Sequence, residues 1–228
     1  MKNRLVLVLL SITAVMQGVI LYRQYTNSGS VQKAVISPIR DARADTLVDL
    51  QGLPVKGSQT SDVVLIEFGD YECPFCEKHA RDVGKQLEAR FVSTGQIRYA
   101  FAHLPLDIHP NAKHLAAAAV CAGLQGKYWD MHDRLFSDKP KTSEAISIIV
   151  RDIGLESGQF QLCLDLSADP GMAFKRDMAT AARLGLEATP AFAIGKLEQS
   201  GQVRIAKFVV GAAPINIFQE AIGSVVGN

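Results

Sequence analysis

Cys73 and Cys76, in the run Cys73-Pro74-Phe75-Cys76, are the residues whose type and spacing can do chemistry by themselves. Two thiols one helical turn apart either close a reversible disulfide or supply half of a tetrahedral zinc site. Zinc needs four ligands, usually as two close pairs. The other cysteines, Cys121 and Cys163, stand apart from each other, and no His lies at matching spacing. The pattern therefore favours redox chemistry over metal binding. An apolar run, Val63 to Phe68, feeds into the pair, and Ala80, Val83, Leu87 and Phe91 follow at helical spacing up to Gly95. That places Cys73 at a helix N-terminus, where unpaired backbone N–H groups and the positive dipole end favour a thiolate over a thiol. Cys73 is the expected nucleophile and Cys76 the partner that closes the disulfide.

The chain has 228 residues, 48% of them hydrophobic, enough for one good-sized core or one core with an inserted subdomain. Its formal charge is +1, and removing Lys2, Arg4 and Arg23 near the N-terminus leaves −2 for the rest. A near-neutral body without a basic stripe offers no footprint for nucleic acid. Residues 1–4 form a short basic head, and 5–22 are an uncharged run rich in Leu, Val and Ile. At about 1.5 Å per residue this run reaches roughly 27 Å, enough for a transmembrane helix. A cleaved secretory signal is the competing reading. Both export the rest of the chain, with Lys2 and Arg4 remaining in the cytoplasm under the anchor reading.

Residues 23–60 read as a tether, with a short strand near Leu47 to Leu50 and a turn around Gly52 to Gly57. The folded body, 61–228, begins with the strand Val63 to Phe68, the helix after Cys73 and a strand at Ile97 to Phe101, a parallel βαβ unit. Helical stretches follow at Ala112–Leu124, Tyr128–Phe136, Ser143–Ile153, Gly158–Leu166 and Gly171–Leu184. A hairpin, Ala191–Ile194 and Val203–Val209, and a last helix, Pro214–Val226, complete the chain. The expected architecture is α/β: about four strands flanked by helices, interrupted by a helical insert at about 110–185.

This arrangement resembles the thioredoxin fold with a helical insertion, and in particular the DsbA-like thiol:disulfide oxidoreductases of the bacterial cell envelope. The resemblance spans Asp62 to Gly223 and rests on Phe68-Gly-Asp-Tyr-Glu-Cys-Pro-Phe-Cys76, Gly126-Lys-Tyr-Trp-Asp-Met-His-Asp-Arg-Leu-Phe136 and Gly185-Leu-Glu-Ala-Thr-Pro-Ala-Phe192. It implies a cis peptide at Thr189-Pro190 facing the cysteine pair, with the Thr189 backbone, Pro190, Pro74 and Phe75 contacting an incoming polypeptide. A Pro just before a strand also holds Thr189 in extended geometry, and cis bonds are essentially confined to X-Pro. Glu67, the one acid in an apolar strand, would be a buried carboxyl beneath the site that takes the Cys76 proton, its pKa raised by desolvation. The alternative is a strand-edge carboxylate paired with a Lys.

Phe75 departs from the most familiar DsbA pattern, which has His at this place. Phe cannot supply an imidazolium, so the expected Cys73 pKa lies nearer the roughly 7 of thioredoxin than the roughly 3.5 of the strongest oxidants. Cys121 and Cys163, each with apolar neighbours on separate helices, are either buried thiols or a structural disulfide, the latter suited to an exported chain. His79, one turn beyond Cys76, is expected on the solvent side or packed on its helix without a role. The functional expectation is disulfide formation in exported polypeptides, with no cofactor beyond the cysteine pair and a membrane redox partner to recycle a monomeric body. Reduction or isomerisation by the same residues is one alternative, and a non-catalytic module that binds exported polypeptides is another.

Overall fold

The strand that leads into the cysteine pair is buried along its whole length, as a central strand covered on both faces must be. The computed structural model describes residues 38–139, 141–166 and 171–227, with position 17 alone before them. The apolar run 5–22 otherwise lies outside the described residues. Among the described residues no helix is long and apolar enough to cross a membrane.

The sheet contains β1 (Ile39–Asp41), β2 (Leu47–Asp49), β3 (Val55–Gly57), β4 (Val63–Gly69), β5 (Arg98–His103), β6 (Ala191–Leu197) and β7 (Gln202–Val210). Their order is β1-β7-β6-β4-β5-β3, with β2 also on β7. β4 runs parallel to β5 and antiparallel to β6, and β6 and β7 form the hairpin. The helices are α1 (residues 74–92), α2 (Ala112–Gly123), α3 (Tyr128–Ser137), α4 (Ser143–Asp152), α5 (Ser157–Leu166), α6 (Gly171–Arg183) and α7 (Ile215–Val226). Within α1, α-helical turns at Pro74–His79 and Lys85–Leu87 alternate with wider π-helical turns at Ala80–Gly84 and Glu88–Val92.

Two expectations change. Among the described residues the sheet has seven strands instead of about four, and the three additional ones come from 39–57, within the segment expected to be a tether with one short strand near Leu47 to Leu50, where β2 lies. β1 and β2 pair with β7, and β3 pairs with β5. The three residues of β1 and of β3 are too few for hydrophobic alternation to register, and their pairing is set by the edges they meet.

Alternation along β4 decides what each residue faces. Val64, Ile66 and Phe68 point to the core completed by Ala181 and Leu186, while Val63 and Leu65 join Leu87 of α1 and Phe218 of α7. Glu67 has the parity of Val63 and Leu65, so its carboxyl is directed beneath α1. The pairing of Phe68 with Ala191 brings the end of β4 beside the start of β6. The loop carrying Cys73 and the residues just before Ala191 therefore share one edge of the sheet.

Candidate active site: a dithiol at a helix terminus

The loop between β4 and α1 is fastened by its own acids. Asp70 Oδ1 accepts the Glu72 N–H at 2.7 Å, while Oδ2 accepts the Leu106 N–H at 2.8 Å and faces His109 Nδ1 at 2.7 Å. Glu72 accepts from the Asn111 backbone at 2.5 Å and from its side-chain amide at 2.9 Å, just before α2. Tyr71, buried between them, stacks on Phe101, bonds through its hydroxyl to Tyr128 and to His132 Nδ1, and receives Lys141 Nζ on its carbonyl. At the strand end, a Cβ on Gly69 would stand 2.6 Å from the Phe101 ring, so only glycine fits there. The site loop is thus held jointly by the sheet and the insert.

Cys73 is the N-cap of α1, with Pro74 occupying the first-turn position where a missing N–H costs nothing. Both thiols are free and buried: Cys73 is 4% exposed and Cys76 fully enclosed. The hydrogen bond from the Cys76 thiol acts most strongly on Cys73, opposed by burial and helped by Thr189 and the backbone N–H groups of Cys76 and Phe75; the Cys73 pKa is lowered to about 5. Burial, the Cys73 contact and the nearby Glu67 charge push Cys76 far upward. One thiol is thereby an anion at neutral pH and the other is held protonated. The value for Cys73 lies below the thioredoxin-like one expected from Phe75, because that expectation counted the helix terminus but not the Cys76 and Thr189 contacts.

Thr189 acts in two senses. Its carbonyl accepts the Cys73 thiol at 3.3 Å, which favours the protonated form. Its hydroxyl, buried without a partner, is available to donate to the thiolate. The Thr189–Pro190 peptide is cis. Phe75, 62% exposed, and the exposed Pro74 form the outer rim of the same site.

The lowered pKa makes the reduced protein's stability depend on pH. Cys73 ionises at a higher pH in the unfolded chain, so its contribution is full above about 9 and is lost as pH falls toward 5, by at most about 1.4 kcal/mol per pH unit. Absorbance titration of the reduced protein at the thiolate band should give a midpoint near 5; a midpoint above 8 would remove the activated thiolate from this site.

Glu67 is 2% exposed and receives the Tyr99 hydroxyl on Oε2, while Oε1 has no partner. Burial raises its pKa to about 7, against the Tyr99 hydrogen bond and the Lys56 charge. A cavity of about 580 Å³ between α1 and α3 reaches Glu67 and is walled by Lys56, Lys85, Glu88 and Asp133. His79 corrects the expectation made for it. It is 1% exposed and packed against Phe192 and Phe218, with Nε2 3.7 Å from Glu67 Oε2.

Cys73, Cys76, Glu67, Thr189 and Pro190 come together in this way. Cys121 and Cys163 are disulfide-bonded with a Cα–Cα distance of 5.8 Å, joining α2 to α5. Reading the sequence missed Asp70, Glu72, Tyr99 and His79. For His79 a signal existed: it lies three residues after Cys76 on the same helix, and so on the face that covers Glu67. Among the described residues no group of three His, Cys, Asp or Glu side chains is arranged to hold a metal.

A strand, a cysteine-capped helix and a cis X-Pro on the adjoining strand end define a thioredoxin-fold dithiol protein with a helical insert. The thioredoxin family model matches residues 50–209, and the chain belongs to that family. The chain is 31% identical over 98 residues to disulfide bond formation protein D of Bacillus subtilis strain 168, covering 42% of this chain and 43% of that protein. It is 38% identical over 117 residues to the Na(+)/H(+) antiporter NhaA 1 of Salinispora arenicola, covering 46% of this chain and 17% of that protein. It thus spans less than half the length of these relatives. A thioredoxin-like oxidoreductase of Silicibacter pomeroyi DSS-3 superposes with a TM-score of 0.64 at 25% identity, over 78% of this chain and 94% of that one. The oxidised BdbD structure from Bacillus subtilis superposes with a TM-score of 0.68 at 19% identity, over 83% of this chain and all of that one, a likeness of fold.

Proposed function

We propose that this chain is a thiol:disulfide oxidoreductase of the bacterial cell envelope that forms disulfides in exported polypeptides. The observation that carries it is the opposed pair of thiols, Cys73 lowered and Cys76 raised, at the edge shared with Thr189–Pro190. In the oxidised form a substrate thiolate attacks Cys73 Sγ, the Cys73–Cys76 bond breaks, and Cys76 leaves as a thiolate that takes a proton from Glu67. A second substrate thiolate attacks the substrate sulfur of the mixed disulfide and releases Cys73 as a thiolate. The substrate is oxidised by two electrons and the cysteine pair reduced. A partner disulfide at the membrane then restores the pair, Cys76 returning its proton to the Glu67 carboxylate. No cofactor other than the cysteine pair enters these steps.

The low Cys73 pKa supports the oxidising direction, because a stabilised thiolate is a good leaving group and favours the reduced protein. The similarity to disulfide bond formation protein D of Bacillus subtilis agrees with it. Thr189, Pro190, Pro74 and Phe75 are the proposed polypeptide contacts. Residues 5–22 are the proposed membrane anchor, or alternatively a cleaved signal, with a monomeric body on the extracytoplasmic side and the helical insert at about 110–185. Phe75, uncharged and exposed, favours the second reading, a reductase or isomerase, since it adds no cation beside the thiolate. Equilibrating the chain against a glutathione buffer separates them. A potential near −120 mV identifies an oxidant and one near −270 mV a reductase; failure to exchange leaves only a binding module.

Glu67→Gln tests the proton step. The variant should slow resolution of a mixed disulfide by about 10²-fold at pH 7 and erase the step near pH 7 in the wild-type rate profile. It should also be the more stable protein at pH 8. Glu67 ionises near 7 when folded and 4.5 when not, so its contribution to wild-type stability is lost as pH rises between those values, by up to about 3 kcal/mol, while the Cys73 contribution of the reduced protein grows over the same range. Urea titrations of wild type and Glu67→Gln at pH 5 and 8 isolate the Glu67 part as the change in their difference, and a difference equal at both would contradict the buried acid.

A further inference from the structure

His79 is a buried titratable side chain that the thiol chemistry above does not use. Its ring packs in one cluster with Phe192 of β6 and Phe218 of α7, which bring no charge, and neither Nδ1 nor Nε2 has a hydrogen-bond partner. A buried imidazole with both nitrogens unpaired forgoes one donor and one acceptor bond, a cost in the kcal/mol range. Its Nε2 stands 3.7 Å from Glu67 Oε2. Glu67 is also short of a partner, since Tyr99 serves Oε2 and nothing serves Oε1.

We propose that His79 is a positioning residue for Glu67: its neutral imidazole accepts a hydrogen bond from the protonated carboxyl and so holds the proton that Glu67 exchanges with Cys76. This rests on the role given above to Glu67. When Cys76 is deprotonated, the proton moves from its sulfur to the Glu67 carboxylate, which turns its O–H toward the ring. When Cys76 leaves as a thiolate, the proton returns and the ring is again without a bond. His79 never takes the proton itself: burial lowers its pKa to about 4, well under the about 7 of Glu67. Tyr99 and His79 then act oppositely on one carboxyl, the hydroxyl favouring the carboxylate and the imidazole lone pair the acid.

The cavity that His79 helps to line holds further charged groups. From β3 comes Lys56, whose charge favours the Glu67 carboxylate and not the acid. From α1 itself come Glu77, Arg81, Lys85 and Glu88, and from α3 His132 and Asp133. His132 Nδ1 is engaged by Tyr71, Lys56 pairs with Glu88 at 2.7 Å and Glu77 with Lys139 at 2.9 Å. Only His79 combines full burial, two unpaired nitrogens and a place beside the carboxyl.

The test follows the Glu67 carboxyl directly, by ¹³C NMR of the full-length reduced chain labelled at glutamate carboxyls, with the resonance identified by its loss in Glu67→Gln. His79→Phe keeps an aromatic ring against Phe192 and Phe218 but has no lone pair; His79→Gln restores an acceptor. The Glu67 midpoint should fall by about one pH unit, a tenfold change, in His79→Phe and stay within a few tenths of wild type in His79→Gln. Should His79→Phe not fold, His79→Leu removes the same acceptor and carries the same expectation. A midpoint that is unchanged or raised in the acceptor-free variant overturns the role of His79 and leaves that of Glu67 standing. A Glu67→Gln chain that exchanges thiols at the wild-type rate across pH 5 to 9 overturns both.

Discussion

Cys76→Ser is expected to turn the reduced chain into a covalent trap. Cys73, lowered to about 5 in the wild type, remains a thiolate at pH 7 because the serine hydroxyl donates in place of the Cys76 thiol, and it still attacks a disulfide. The mixed disulfide then has no neighbouring thiol to resolve it. Because Cys76 sits one turn away inside the same helix start, its attack is intramolecular, an advantage worth many powers of ten over thiols free in solution. Turnover should fall by about 10³-fold or more, while adducts with glutathione accumulate and are counted by intact mass under non-reducing conditions. Cys73→Ala should abolish exchange altogether. Cys76 cannot substitute, since it is fully enclosed and its pKa is raised by burial. Wild-type exchange in Cys73→Ala would remove this cysteine pair from the chemistry, and rapid release of adducts from Cys76→Ser would deny Cys76 its resolving role.

The double substitution Cys121→Ala/Cys163→Ala is expected to cost about 4 kcal/mol of stability. The bond closes 42 residues of chain, and a loop of that length loses this much unfolded-state entropy in the chain-entropy model. With urea slopes of about 1–3 kcal/mol/M, the midpoint should fall by roughly 2 M. The loss should leave the Cys73 thiolate midpoint in place, because none of the groups that act on Cys73 belongs to α2 or α5. It should nonetheless loosen the insert around the site, since Cys121 packs in the same apolar cluster as Tyr71, Cys73 and Cys76. A double variant with wild-type urea behaviour, or a wild-type chain in which both thiols can be alkylated without reduction, would contradict the bridge.

Most of the order of elements was legible because its signals are local. The run 63–68, the helical spacing after Cys73 and the five helical stretches of the insert each reflect a period of two or 3.6 that a single segment carries by itself. The structure places α2 at Ala112–Gly123 and α3 at Tyr128–Ser137, within a residue of the expected ends. Strand β2 was legible near Leu47 to Leu50, whereas β1 and β3 were not, since three residues hold too little alternation and their partners lie far along the chain. The bulge at Ile194/Gly195 was hidden for a similar reason: it answers to the Arg204 backbone, which a Cβ on Gly195 would meet at 2.0 Å.

The Cys73-Pro74-Phe75-Cys76 run by itself determined that a helix would begin on a thiol, because Pro at the first turn and the unpaired N–H groups of a helix start are properties of adjacent residues. Parity along β4 also pointed Glu67 inward once that strand was recognised. Only the tertiary structure decided how far each group is shifted and what it faces. Cys73 near 5, Cys76 raised and Glu67 near 7 all depend on burial and on one another, with partners brought from β3, β5 and the residues just before β6. Desolvation and hydrogen bonding act over a few ångströms, and here those ångströms separate residues more than a hundred positions apart: Cys73 and Thr189 meet at 3.3 Å. His79 passed from an unassigned side chain to the neighbour of a buried acid for the same reason, since the rings of Phe192 and Phe218 that enclose it arrive only when the sheet and α7 close over α1.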